Sequence, residues 1–160
     1  MRWPGHIPTG QVSDACISSV DFMPTLLGLM GLPIPSRVEG ANLAHLAAGQ
    51  AGSEPEFAFL QNTGACAAWD NGYEWRAVRS KQYTYAVYRQ DGKELLFDNN
   101  QDPYQMTDLS QRSDHQSILN ELKGKMKAKM DSLSDTFAES TYYRDKWTDG
   151  NRIILRGARG

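Results

Sequence analysis

Apolar residues recur at helical spacing in the first third of the chain, then alternate with polar ones from about Glu56 onward. Phe22, Leu26, Leu29 and Met30 repeat every three or four residues, and Val20 and Leu27 widen the stripe. Ser18 and Ser19 are N-cap candidates, and Pro24 falls in the first turns, where its missing N–H costs least. Gly31 suits a helix C-terminus and Pro33 forbids continuation, so the pattern predicts a helix over Val20–Met30. A shorter helix is expected over Gly40–Gly49, followed by a Gly/Ser/Pro linker at 49–55. Beyond it, alternation predicts strands at Glu56–Gln61, Trp75–Arg79, Tyr83–Arg89 and Lys93–Asp98. Ser80-Lys81-Gln82 and Asp91-Gly92 supply the turns. Alternation places Trp75, Ala77 and Arg79 on one side of a strand, and Arg76 and Val78 on the other.

Ser113-Asp114-His115-Gln116 fits a capping box. Behind it, Ile118, Leu122, Met126, Met130, Leu133 and Phe137 mark one amphipathic helix over 114–137, weakened by Gly124. The expected fold class is α+β: a small antiparallel sheet of about four strands, packed by a long C-terminal helix and preceded by an N-terminal helical segment.

Composition narrows the function classes. The 160 residues carry a net charge of −2, which gives no reason to expect nucleic acid or an anionic membrane surface as partner. Lys123, Lys125, Lys127 and Lys129 step around a helix rather than forming one basic face. Phe22–Leu32 is too short to span a bilayer, so no membrane partner is expected. Cys16 and Cys66 stand outside any CxxC or Cys/His cluster, which excludes a zinc ribbon. His6, His45 and His115 have no partners at spacings that would make a general base. No nucleophile, base and orienter appear together, so no catalytic or metal-ligating residue is assigned.

Three blocks carry a family resemblance. They are Trp3-Pro4-Gly5-His6-Ile7-Pro8-Thr9-Gly10, then Ser18-Ser19-Val20-Asp21-Phe22-Met23-Pro24-Thr25-Leu26-Leu27-Gly28-Leu29, then the run from Trp75 through Glu94-Leu95-Leu96-Phe97-Asp98 to Asp102-Pro103-Tyr104-Gln105-Met106-Thr107-Asp108-Leu109. In this order they resemble the C-terminal part of sulfatases of the alkaline-phosphatase superfamily. The chain departs from the frequent family pattern at Thr84, where Lys is common, at Gln105, where Glu is common, and at Asp108, where Asn is common.

The resemblance implies a parent that hydrolyses sulfate esters with a formylglycine and a calcium ion. Neither Cys16 nor Cys66 has the Pro at +2 and Arg at +4 of the formylglycine motif. The nucleophile and the metal ligands of the family lie upstream of the segment equivalent to Trp3. Residues 1–50 are therefore expected to be an edge of a truncated catalytic domain, 56–140 the C-terminal subdomain and 141–160 a tail. The expected partner is the missing N-terminal catalytic domain, and the fragment by itself should be inactive, with no cofactor of its own. Uncovered, residues 17–32 are expected either to form the interface of a homodimer or higher oligomer or to be disordered. The loop from Asn62 to Gly72 is polar and Gly-rich, and loops of that length between strands often serve binding. Asn62, Trp69, Asp70 and Asn71 are its candidate substrate-binding residues, at the rim of the parent's pocket. Two alternatives stay open: a phosphodiesterase or phosphonate hydrolase of the same superfamily, and a stand-alone binding module. The family's members are mostly periplasmic, extracellular or lysosomal.

Overall fold

In a computed structural model, the pattern around Val20 resolves into a 3-10 turn, Ser19–Asp21, that runs into helix α1, Phe22–Leu29. The model describes residues 1–63, 72–142, 148–149 and 152–153, and divides into two units, Met1–Ala58 and Phe59–Gly160.

Asp21 organises the first unit. Its buried carboxylate accepts the amide N–H groups of Ser18 and Ala41, each at 2.8 Å. The first bond stabilises the turn's orphan donors, and the second brings the 40s alongside α1. Thr25 continues the brace, its Oγ1 accepting the Leu43 amide at 3.0 Å. The approach is so close that a Cβ on Gly40 would collide with the Val20 carbonyl. With 40–43 held this way, the helix expected over Gly40–Gly49 shrinks to α2, Ala44–Ala47. α1 ends as expected at Gly31, which takes φ 66° while the Leu32 amide reaches back to the Leu27 carbonyl. Pro24 and Thr25 are buried on the inner side of α1. On the outer side Phe22, Met23, Leu26 and Met30 keep 48–53% of their surface in solvent.

The second unit is built on a four-stranded sheet in the order β1-β2-β3-β4: Ala58–Thr63, Glu74–Arg79, Tyr83–Tyr88 and Glu94–Asp98. β2–β3 and β3–β4 are antiparallel, with Val78 opposite Tyr85 and Tyr85 opposite Leu96. These three side chains share one face and are completely buried. Helix α3, Gln116–Ser132, packs on β2 and β3 and brings Leu119, Leu122 and Met126 into the core. At the end of the sheet, the Asp-Pro loop folds over β4. The Leu96 amide donates to Asp108 Oδ1 and its carbonyl accepts the Leu109 amide. A short two-stranded pairing, β5 Thr148–Asp149 with β6 Arg152–Ile153, follows toward the C-terminus.

Two helix expectations are corrected. Ser113 does not cap α3. Residues Ser113–His115 form a 3-10 turn, and the Gln116 side chain donates through Nε2 to the carbonyls of Ser110 and Arg112. The helix also stops at Ser132 instead of reaching Phe137. Ser134 takes φ 53°, the Ser134 amide bonds to the Asp131 carbonyl and the Asp135 amide to Met130, which is a Schellman ending without glycine. The cause lies across the core, where Asp135 is drawn onto Arg76.

Candidate functional site

Arg76 is fully buried at the middle of β2. Its Nε and Nη2 meet the Asp135 carboxylate at 2.5 and 2.9 Å, and Nη1 donates to the carbonyls of Asn62 and Trp75. The Phe137 ring lies 4.7 Å from the guanidinium carbon. Asp98 is held by Gln82 and the turn amides of Asn100 and Gln101. Arg79 faces the other way, as alternation requires, and donates to Thr84 Oγ1 and Asn99 Oδ1. The same two atoms accept the Gln105 amide at 3.0 and 3.1 Å. Thr84 and Gln105, two of the departures from the family pattern, thus touch each other. The contact between them is a neutral hydrogen bond.

Of the candidate binding residues, Asn62 is described. Its Nδ2 donates to the Tyr73 carbonyl at 2.8 Å, so the side chain closes the base of the β1–β2 connection. Trp69, Asp70 and Asn71 lie outside the described residues, as does Cys66. Cys16 is half-buried. On the far limb, Gly72 takes φ 102° and donates its amide to Glu74 Oε2 at 2.9 Å. The Gln90 side chain packs against Gly72, leaving less than 3 Å for any Cβ. Beside this base lies a recess of about 250 Å3 lined by Gly72, Tyr88, Gln90, Asp91, Lys93 and Leu95. Tyr73 stands next to it, 58% exposed. Sequence reasoning passed over Tyr73, Gln90 and Lys93. The one available signal was Gly72 between a polar loop and a strand.

Glu74 and Glu94 are each held by partners within the second unit. Burial pushes the Glu74 carboxyl up, but amide donors, Ser140 and Gly72 among them, and the charge of Arg89 hold it below its ordinary value. Burial acts the same way on Glu94, and Lys123 and the Tyr85 hydroxyl outweigh it. Burial, then the bond to Glu94, drives the Tyr85 hydroxyl far above the ordinary phenol value. Three of the helix lysines are paired, Lys123 with Glu94, Lys125 with Glu121 and Lys127 with Asp131. Among the described residues, no three His, Cys, Asp or Glu side chains converge to hold a metal. A hard cation such as calcium needs six to eight gathered oxygens, and the residues described here do not fit one. No described helix is long and apolar enough to cross a membrane.

The family model described as "N-sulphoglucosamine sulphohydrolase, C-terminal" matches residues 1–132. The chain belongs to this sulfatase C-terminal family. It is 34% identical over 148 residues to an ulvan-active sulfatase of Formosa agariphila, covering 92% of this chain and 29% of that protein. It is 30% identical over 161 residues to an endo-4-O-sulfatase of Bacteroides thetaiotaomicron, covering 91% and 31%. The sulfatase C-terminal chain thus spans less than a third of the curated relatives it matches. Among solved structures it is similar to a 2-O GAG sulfatase, with TM-score 0.75, 21% identity and coverage of 82% and 29%. A phosphonate monoester hydrolase from Silicibacter pomeroyi shares the fold at TM-score 0.66 and 22% identity, covering 85% and 29%.

Proposed function

We propose that this chain is the C-terminal part of an enzyme that hydrolyses sulfate esters on a polysaccharide. The observation that carries the reading is its 34% identity, over 92% of its length, to an ulvan-active sulfatase. Phosphonate monoester hydrolases resemble it at the level of fold, whereas the curated relatives at 29% identity and above are all sulfatases. The formylglycine and the calcium ion that the family implies belong, on this reading, to the preceding portion of the parent. The 160-residue chain alone then has no sulfatase activity. Its role is a scaffold that lends the β1–β2 connection to the rim of the pocket. Trp69 offers a stacking surface for a sugar ring, and Asn62, Asp70 and Asn71 offer polar groups for its hydroxyls. The uncovered side of α1 is the surface on which the catalytic portion rests, since Phe22, Met23, Leu26 and Met30 form one apolar strip. Without that cover, residues 17–32 pair two copies of the chain.

The test begins with the parent reading frame, which on this proposal carries C/S-x-P-x-R upstream of Trp3. The full polypeptide should release sulfate from ulvan oligosaccharides and lose that activity when the motif's Cys or Ser is replaced by Ala. A parent that cleaves phosphonate monoesters and leaves sulfate esters untouched would overturn the proposal.

A further inference from the structure

A glutamate at the first position of a strand is ordinarily a solvated residue, yet Glu74 has no exposed surface at all. Burying a carboxylate is costly unless its oxygens are matched by donors. Both Glu74 oxygens are matched by main-chain amides, one from the limb just before the strand and one from far along the chain. Oε1 accepts the Ser140 amide at 2.6 Å and Oε2 the Gly72 amide at 2.9 Å. We propose that Glu74 is a positioning residue that locks the C-terminal segment to the closing limb of the β1–β2 connection, so that the two hold their places as one unit.

The surrounding anchors point the same way. The limb is fixed at consecutive residues, Gly72 by Glu74 and Tyr73 by Asn62. The segment that follows α3 is fixed along β2, with Asp135 on Arg76, the Phe137 ring over the same guanidinium and the Phe137 carbonyl on Arg89 Nε at 2.8 Å. Glu74 and Arg76 are two residues apart and so lie on one face of the strand. Each is fully buried and each grips the segment between Asp135 and Ser140. Glu74 also grips the closing limb of the loop, at Gly72. Because its partners are amides rather than side chains, the junction senses where the backbone runs. A glutamine in its place would present one oxygen and one NH2, and could accept only one of the two amides well. The inference holds whether or not the parent chain hydrolyses sulfate esters.

Amide hydrogen exchange on the 160-residue chain tests it, read residue by residue by NMR. Ser140→Pro removes the amide that Oε1 accepts, at the start of a short helical turn where proline is tolerated. The expected result is exchange about tenfold faster at Gly72, the factor for losing roughly one charge-assisted hydrogen bond. Leu96, whose amide is held by Asp108, is the internal reference and should not change. Glu74→Gln should accelerate Gly72 by a similar factor, and adding Ser140→Pro to it should produce little further change there. Unchanged exchange at Gly72 in Ser140→Pro would overturn the proposal, because the limb would then be held independently of the segment. Full additivity of the two substitutions would overturn it for the same reason. Equal acceleration at Leu96 would also overturn it, since the effect would then be loss of the whole fold and not of a local junction.

Discussion

Asp135→Ala should be among the most damaging single substitutions in the second unit. Arg76 has no exposed surface and Asp135 keeps 8% of its side-chain surface in solvent, so the pair is shielded from water. Two of the guanidinium's hydrogen bonds go to Asp135 and two to backbone carbonyls. Removing the carboxylate leaves the carbonyl bonds and the Phe137 contact, but takes from the buried guanidinium the anion that its Nε and Nη2 meet. Breaking a buried pair in this way costs about 3–5 kcal/mol. That is a large part of the roughly 5–15 kcal/mol by which domains are stable. With a urea m-value of about 2 kcal/mol/M, a loss of 4 kcal/mol moves the unfolding midpoint by about 2 M. Urea titration followed by tryptophan fluorescence and by circular dichroism reads this shift, and agreement between the probes checks two-state behaviour. Replacing both partners, Arg76→Met with Asp135→Leu, should recover most of the loss, because no charge is then left unpaired. A cost below about 1 kcal/mol for Asp135→Ala, the level of an exposed pair, would refute the account of Arg76 as a buried charge held by this carboxylate.

Three other outcomes are expected. Leu122 is 1% exposed in the core, so Leu122→Ala should cost about 2–5 kcal/mol in the same titration. Glu74, Glu94, Asp98 and Asp108 all titrate below their ordinary values of 4.5 for Glu and 3.8 for Asp. Depressed folded-state values mean that their stabilisation is complete above those ordinary values and is lost as pH falls through the folded ones. The urea midpoint should therefore show no carboxylate-dependent fall on going from neutral pH to about 5, and should drop as pH goes below about 4. Multi-angle light scattering at micromolar concentration should find the isolated chain associated, and Leu26→Glu with Met30→Lys should return it to a monomer. An unaltered mass in that double variant would remove the exposed side of α1 from the interface.

Features governed by local spacing were legible in the sequence. The switch in apolar period near Glu56 located the sheet, and Gly31 and Gly49 marked where their helices stop. Ser80-Lys81-Gln82 and Asp91-Gly92 sit at the turns expected of them. What depended on partners distant in sequence was not legible. The stripe through Phe137 continued the helix on paper, but Arg76 requires an anion and a covering ring, and Asp135 and Phe137 leave the helix to supply them. Leu119 was left out of the stripe although it lies one turn before Leu122 and is equally buried. Glu74 falls just before the strand expected at Trp75–Arg79, and nothing near it in sequence reveals the amide of Ser140. In the candidate loop, the sequence offered Asn62 as a substrate-binding residue, and its bond to the Tyr73 carbonyl was not legible because that partner lies across the loop.

The fold of the Asp-Pro loop over β4 bears on how this chain can meet other copies of itself. An outer strand normally offers unpaired N–H and C=O groups, a template on which a further strand can grow. At Leu96 both groups are already taken, the amide by Asp108 and the carbonyl by the amide of Leu109. Growth of a fibril-like ladder from this margin is therefore blocked at the middle of β4 by the chain's own backbone and one carboxylate. If two copies of the chain meet at this margin, the contact falls to side chains and not to a shared backbone ladder.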